Sequence, residues 1–240
     1  MNEVRAADAH RVLHVLLGVQ SLVVVLVSLN RLGSWTQGYV SANEFLRWVD
    51  LNNLALALIS LVAFHLLREH LSDPPEGLGR RAAHRALGVA FIVAAYLLAA
   101  SYGSHEVTNY LNWRFCSAGG TTDRLCEIIA YHDDGLSHVI FFAGFAMINV
   151  VIMLTQVVNP TDAPLTIVDN VLIVVNALFI GAGIFANLAF EEIGLDLYVV
   201  AAIAVLALAL LWCGPRQPVL RYYAAAYLVG LVATALVKLT

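Results

Sequence analysis

The chain has 240 residues, 60% of them hydrophobic and 12% charged, with a mean hydropathy of +0.79. A water-soluble globular domain carries roughly 25% charged residues, so this composition excludes that class. A net charge of −4 and a pI near 6.0 also exclude the basic footprint of a nucleic-acid-binding protein and leave the lipid bilayer as the implied partner.

Seven apolar stretches follow in chain order, at about 11–29, 48–67, 85–104, 137–157, 165–187, 196–213 and 218–238. Each approaches the ~20 residues that cross the hydrocarbon core as a helix, and backbone groups in lipid must be satisfied within the segment. The expected fold is therefore all-α, one polytopic membrane domain over residues 1–240. The first stretch lacks a small-residue cleavage site and reads as a span, not as a signal peptide. Ser72-Asp73-Pro74-Pro75 ends the second stretch, Asn159-Pro160 the fourth, and Gly214-Pro215 separates the last two.

With the N-terminus inside, the inner segments carry Arg5, Arg11, Arg68, Arg80, Arg81, Arg85, Arg216 and Arg221, against Arg31, Arg47, Arg114, Arg124 and Lys238 outside. Positive charge favours the cytoplasmic side, so the expectation is N-terminus in and C-terminus out, as in a prokaryotic cytoplasmic membrane. Ten of the 17 acids then lie outside, as does the longest loop, about 105–136. That loop holds Cys116 and Cys126, which an oxidising compartment would join in a disulfide. Cys213 stands alone near the inner face and reads as a small apolar residue.

The residues that suggest chemistry cluster between Ser101 and His138. The third span ends Ser101-Tyr102-Gly103-Ser104-His105-Glu106, and the fourth opens after Tyr131-His132-Asp133-Asp134-Gly135-Leu136-Ser137-His138. Consecutive helices are usually neighbours, so histidines and carboxylates meet at one level. Asp134 and His138 are four apart, as are His105 and Asn109, and each pair shares a helix face. Imidazole and carboxylate donors together suit copper, zinc or iron. The candidate ligands are His105, His132, Asp134 and His138; Glu106, Asp133 and Glu191 are candidates for moving a proton to or from bound water. The plainer account of the same residues is a wet interfacial loop.

Other polar residues have structural readings. His10, His14, His70 and His84 look interfacial, and His65 looks like a partner for a neighbouring helix. Asp169, Asn170 and Asn176, with Asn149, form a seam that interhelical hydrogen bonds or a transport path would explain. Gly181, Gly183 and Ala186 read as a close-packing face. Lys238 is too near the membrane boundary for a retinal Schiff base.

Between residues 80 and 192 the order of elements resembles the C subunit of the copper membrane monooxygenases. The likeness rests on Arg80-Arg81 before a span ending Ala100-Ser101-Tyr102, on Ser137-His138 opening the next helix, and on Phe190-Glu191-Glu192 after the fifth. It implies an oxygenase subunit with copper held at the junction of these helices, His138 matching one of that family's histidines. The segment with Cys116 and Cys126 is an insertion relative to it. Ser101 and His105 also copy a spacing of the ceramidase-like membrane hydrolases, but the final span lacks that family's histidines.

The expected function is a metal-dependent membrane enzyme, oxidative or hydrolytic, or the metal-carrying subunit of a complex, with partner subunits or a homo-oligomer implied. Three other readings stand beside it: a transporter with an acidic outer vestibule, a haem-binding electron carrier using His105 and His138, and a structural subunit.

Overall fold

A computed structural model describes residues 3–72, 77–116, 124–190 and 194–239. Its helices are α1 (Glu3–Leu32), α2 (Trp48–Leu71), α3 (Leu78–Leu111), α4 (Arg124–Ala130), α5 (Ser137–Val158), α6 (Ile167–Phe190), α7 (Leu195–Cys213) and α8 (Pro218–Leu239). Among the described residues seven helical segments are long and apolar enough to cross a membrane. They match the seven expected stretches, including the last two, which only 214–217 join. We call the end where α1 begins the near end and the opposite one the far end.

The helices close into a ring in the order α1, α2, α3, α5, α7, α8, α6 and back to α1, with α5 also touching α2 and α8. The apolar core lies between them. Ile148, Ile152 and Met153 of α5 meet Leu17 of α1, Leu67 of α2 and Leu220, Tyr223 and Tyr227 of α8, all buried. The outer faces keep Leu58, Val89, Ile92, Val171 and Val205 exposed, as lipid-facing surfaces do. Two crossings are unusually close. A Cβ on Gly144 of α5 would stand 2.7 Å from the Leu98 backbone nitrogen of α3, and one on Gly230 of α8 would meet Ile184 of α6 at 2.6 Å.

The main departure from expectation is the segment 105–136, which is not an irregular loop where it is described. Helix α3 has 34 residues, about 50 Å at 1.5 Å per residue, against a hydrocarbon core of about 30 Å. It therefore carries His105 and Asn109 on regular backbone to the far end. A π turn, Asn112–Cys116, extends it, and α4 returns through a second π turn, Tyr131–Leu136, into α5. The Cys116–Cys126 disulfide, with 5.6 Å between Cα atoms, ties the two arms together. Cys213, expected to be a small apolar filler, is a free thiol and exposed.

Candidate functional site

The far end concentrates buried charge. Asp133 is almost wholly buried, at 1% exposure. Its Oδ1 accepts from His105 Nδ1 at 2.9 Å and from Thr108 Oγ1 at 3.3 Å. Its Oδ2 accepts from Asn109 Nδ2 at 3.5 Å and Asn112 Nδ2 at 3.4 Å. Thr108 and Asn109 follow His105 on α3 by three and four residues, the spacings that place side chains on one helix face. The fourth, Asn112, starts the π turn. The carboxylate thus faces donors on both oxygens, although the single Thr108 proton has a nearer acceptor in the Ser104 carbonyl at 2.9 Å, and it acts as an anchor that fixes the His105 ring.

The His138 ring lies beside that of His105, with 5.4 Å between centroids and 51° between planes. A carboxylate on Nδ1 keeps the proton at that nitrogen and leaves Nε2 with its lone pair, prepared as a base or a metal ligand. Of the expected cluster, His105, Asp133 and His138 come together; His132 and Asp134 do not join them. Asp134 is exposed. The four-residue spacing assumed an α-helix, but residues 131–136 are wound as a π turn, where the backbone repeats every five: Ser137 N–H donates to the carbonyl of His132. That extra residue turns Asp133, not Asp134, onto the inner face. His132 instead lines an open hollow of about 430 Å³ with Arg124, Glu127, Ile128 and Tyr131. Glu191 lies outside the described residues.

Glu106, one residue on from His105, faces the other way. Its Oε1 accepts from Arg31 Nη2 and its Oε2 from Asn53 Nδ2, both at 3.0 Å. Asn53 in turn accepts from Asn30 Nδ2 at 2.8 Å. A second ion pair lies alongside: Arg47 grips Asp50 through Nε at 2.9 Å and Nη2 at 2.7 Å, both residues buried. The guanidinium is 4.7 Å from the Trp113 ring centroid and 5.3 Å from that of Tyr110, within cation–π range. These partners went unread in the sequence as site residues. The available signal was the polar run at the start of α2, Arg47, Asp50, Asn52 and Asn53, in a segment that otherwise enters lipid.

A second cluster occupies the near end. His14 Nε2 is 2.9 Å from Asp169 Oδ1, and His10 Nδ1 is 3.4 Å from Asp169 Oδ2. Thr166 donates its backbone N–H at 2.8 Å and its hydroxyl at 2.7 Å to Oδ2. His10 and His14, expected at the interface, are instead largely buried between α1 and α6. The expected interhelical bonds of the seam are present: Ser21 to Asn176 at 2.7 Å, Asn149 to the Tyr227 hydroxyl at 2.6 Å, and Arg221 to Asn170.

Among the described residues no group of three or more His, Cys, Asp or Glu side chains is arranged to hold a metal ion. At the far end His105 and His138 offer two nitrogen donors, and the Asp133 oxygens are already taken. The chain matches no protein-family model, no curated protein and no solved structure.

Proposed function

We propose that the chain is an integral membrane enzyme, or the site-bearing subunit of one, whose working groups are the imidazoles of His105 and His138. One observation carries this reading: the 2.9 Å bond from buried Asp133 to His105, with the His138 ring alongside. A histidine anchored by a carboxylate is the usual preparation of a base or of a metal ligand. A buried carboxylate at membrane level is costly enough to require a reason.

In acid–base chemistry His105 accepts a proton at Nε2, and Asp133 steadies the imidazolium that results. His138 is the second imidazole in reach, as relay or as co-ligand. A transition metal, whether copper, zinc or iron, would supply Lewis-acid activation of water or activation of oxygen. His105 and His138 would provide two of its donors, and the rest would come from beyond the described residues or from a partner subunit. We read the far end as extracytoplasmic. The Cys116–Cys126 disulfide supports an oxidising compartment there, and Arg80, Arg81 and Arg85 at the other end of α3 support a cytoplasmic near end.

The test is elemental analysis and an absorption spectrum of the full chain, purified in detergent without chelator. Near-stoichiometric zinc, copper or iron that falls in His105→Gln and His138→Gln is the expected result, and the element found separates hydrolysis from oxidation. A wild-type protein that takes up no metal, even on readdition, sinks the metal assignment. Substrate-dependent flux in proteoliposomes that survives both substitutions would replace the enzyme reading with transport.

A further inference from the structure

Two connections meet at the near end: residues 159–166 lead from α5 to α6, and 214–217 join α7 to α8. Between them lies a hollow of about 350 Å³, whose walls include Thr161, Asp162, Leu165, Arg216, Gln217 and Arg221. Gln217 clamps one connection to the other. Its Oε1 accepts from the Thr161 backbone N–H at 2.9 Å, and its Nε2 donates to the Thr161 carbonyl at 3.2 Å. The walls are therefore fixed by hydrogen bonds of their own, as those of ligand sites usually are.

Arg221 is half-buried and is held by neutral partners alone. Its Nε donates to the Pro215 carbonyl at 2.8 Å and its Nη1 to Asn170 Oδ1 at 2.5 Å. A guanidinium has five N–H groups, so three remain, and none meets an acceptor among the described residues. Arg216 is exposed and has no partner among them. Asp162, exposed on the same walls, forms no ion pair with either arginine. Asp169, next to Asn170, takes its donors from His10, His14 and Thr166 and offsets Arg221 only at a distance.

Two arginines against one lining carboxylate leave the walls net positive. Arg221 also stands in the first turn of α8, which contains no acid, although the start of a helix favours anions and disfavours cations. A guanidinium posed by neutral acceptors, with a second one lining the same hollow, is suited to a phosphate-type oxyanion. The rim selects among such anions. Ile167 and Val168 at the start of α6 and Trp212 near the end of α7 are 83%, 65% and 89% exposed, where these helices enter and leave their apolar spans. The hollow thus opens at the level of lipid headgroups, beside apolar side chains that acyl chains would cover. A soluble phosphate gains nothing from that rim.

We propose that this hollow binds the phosphate of an anionic phospholipid, with Arg216 and Arg221 as its cations and the acyl chains lying along Ile167, Val168 and Trp212. The bound headgroup ties the α5–α6 connection to the turn between α7 and α8. The site stands whether or not the far end is a metal or acid–base centre, and whichever leaflet the near end faces.

Native mass spectrometry of the full chain tests this, in detergent micelles supplied with equal amounts of phosphatidylglycerol and phosphatidylcholine of the same acyl chains. The expected result is one retained phosphatidylglycerol per chain, which excess inorganic phosphate does not displace. Arg216→Gln and Arg221→Gln each weaken its binding about fivefold or more, the worth of one arginine at an anionic lipid surface. Arg80→Gln, an exposed arginine at the same end but outside the hollow, leaves it unchanged. Equal retention of the two lipids overturns the proposal, as does a loss in Arg80→Gln as large as in the hollow variants. Displacement by inorganic phosphate overturns the lipid assignment and marks a site for soluble phosphate. If Arg221→Gln fails to fold, Arg216→Gln decides the matter, because Arg216 bonds to no other part of the described fold. Undiminished retention there refutes the site.

Discussion

Arg47 donates from Nη2 to Asn109 Oδ1 at 3.1 Å, and so joins the buried pair at the start of α2 to the helix that carries the candidate site. Asn109 passes the connection on by donating to Asp133. The Arg47–Asp50 pair and the His105–Asp133 pair are therefore one hydrogen-bonded assembly across α2, α3 and the π turn before α5.

That assembly predicts asymmetric mutant costs. Arg47→Met leaves Asp50 buried and unpaired, for which about 3–5 kcal/mol is expected. The double variant Arg47→Met, Asp50→Leu removes both charges and is expected to lose less than the single change. Chemical denaturation in a mild detergent reads both, and a double variant at least as unstable as Arg47→Met would contradict the account.

Asp133→Asn keeps an acceptor and a similar shape but no longer holds the proton on His105 Nδ1. Loss of a carboxylate that orients a working histidine typically costs 10–100-fold in metal affinity or activity. Competition titration with the metal found in the wild type, run on both proteins, should show a fall of that size, alongside a lower melting temperature because the new amide NH2 faces donors that a carboxylate oxygen had accepted.

Gly144 and Gly103 make a matched comparison. A Cβ at Gly144 would run into the α3 backbone at Leu98 and Ala94, whereas one at Gly103 meets nothing within 4 Å. Gly144→Ala is expected to destabilise by about 1–3 kcal/mol as α3 and α5 are pushed apart. Gly103→Ala is expected to be neutral or to stabilise by up to about 1 kcal/mol through helix propensity. Thermal unfolding of the two variants side by side checks the pair.

The cysteines report both stability and sidedness. The bridge spans ten positions, for which the chain-entropy estimate is about 3 kcal/mol, so dithiothreitol should lower the melting temperature of the wild type and leave Cys116→Ser, Cys126→Ser unmoved. Cys213 is a free, exposed thiol at the near end. A membrane-impermeant maleimide is expected to label it in inverted vesicles and not in intact cells; labelling in intact cells would reverse the orientation proposed above.

The seven spans were legible because hydropathy is a local property, and each apolar run became one crossing helix. The far-end site was half legible. His105, Asp133 and His138 could be found by their position at two adjoining helix ends, but the choice of Asp133 over Asp134 depends on a π turn, which no periodicity of 3.6 reveals. The near-end cluster was hidden by topology. His10 and His14, four apart, visibly shared a face, and Asp169 visibly stood in an apolar stretch. What joined them was the closure of α1 onto α6, a contact between helices far apart in the chain.

That closure also orders the making of the protein. His14 finds Asp169, and Ser21 finds Asn176, only after 155 further residues have been synthesised, roughly ten to thirty seconds at ordinary translation rates. Gln20 is served much sooner by Ser60, 40 residues on. In the interval the first helix waits in the bilayer with two imidazoles and a hydroxyl facing lipid, held by α2 and, at its far end, by the Arg31–Glu106 pair to α3. A ribosome stalled before the sixth helix thus leaves a product whose first helix is still unpaired on one side, which is the kind of surface that membrane proteases and insertion chaperones act on.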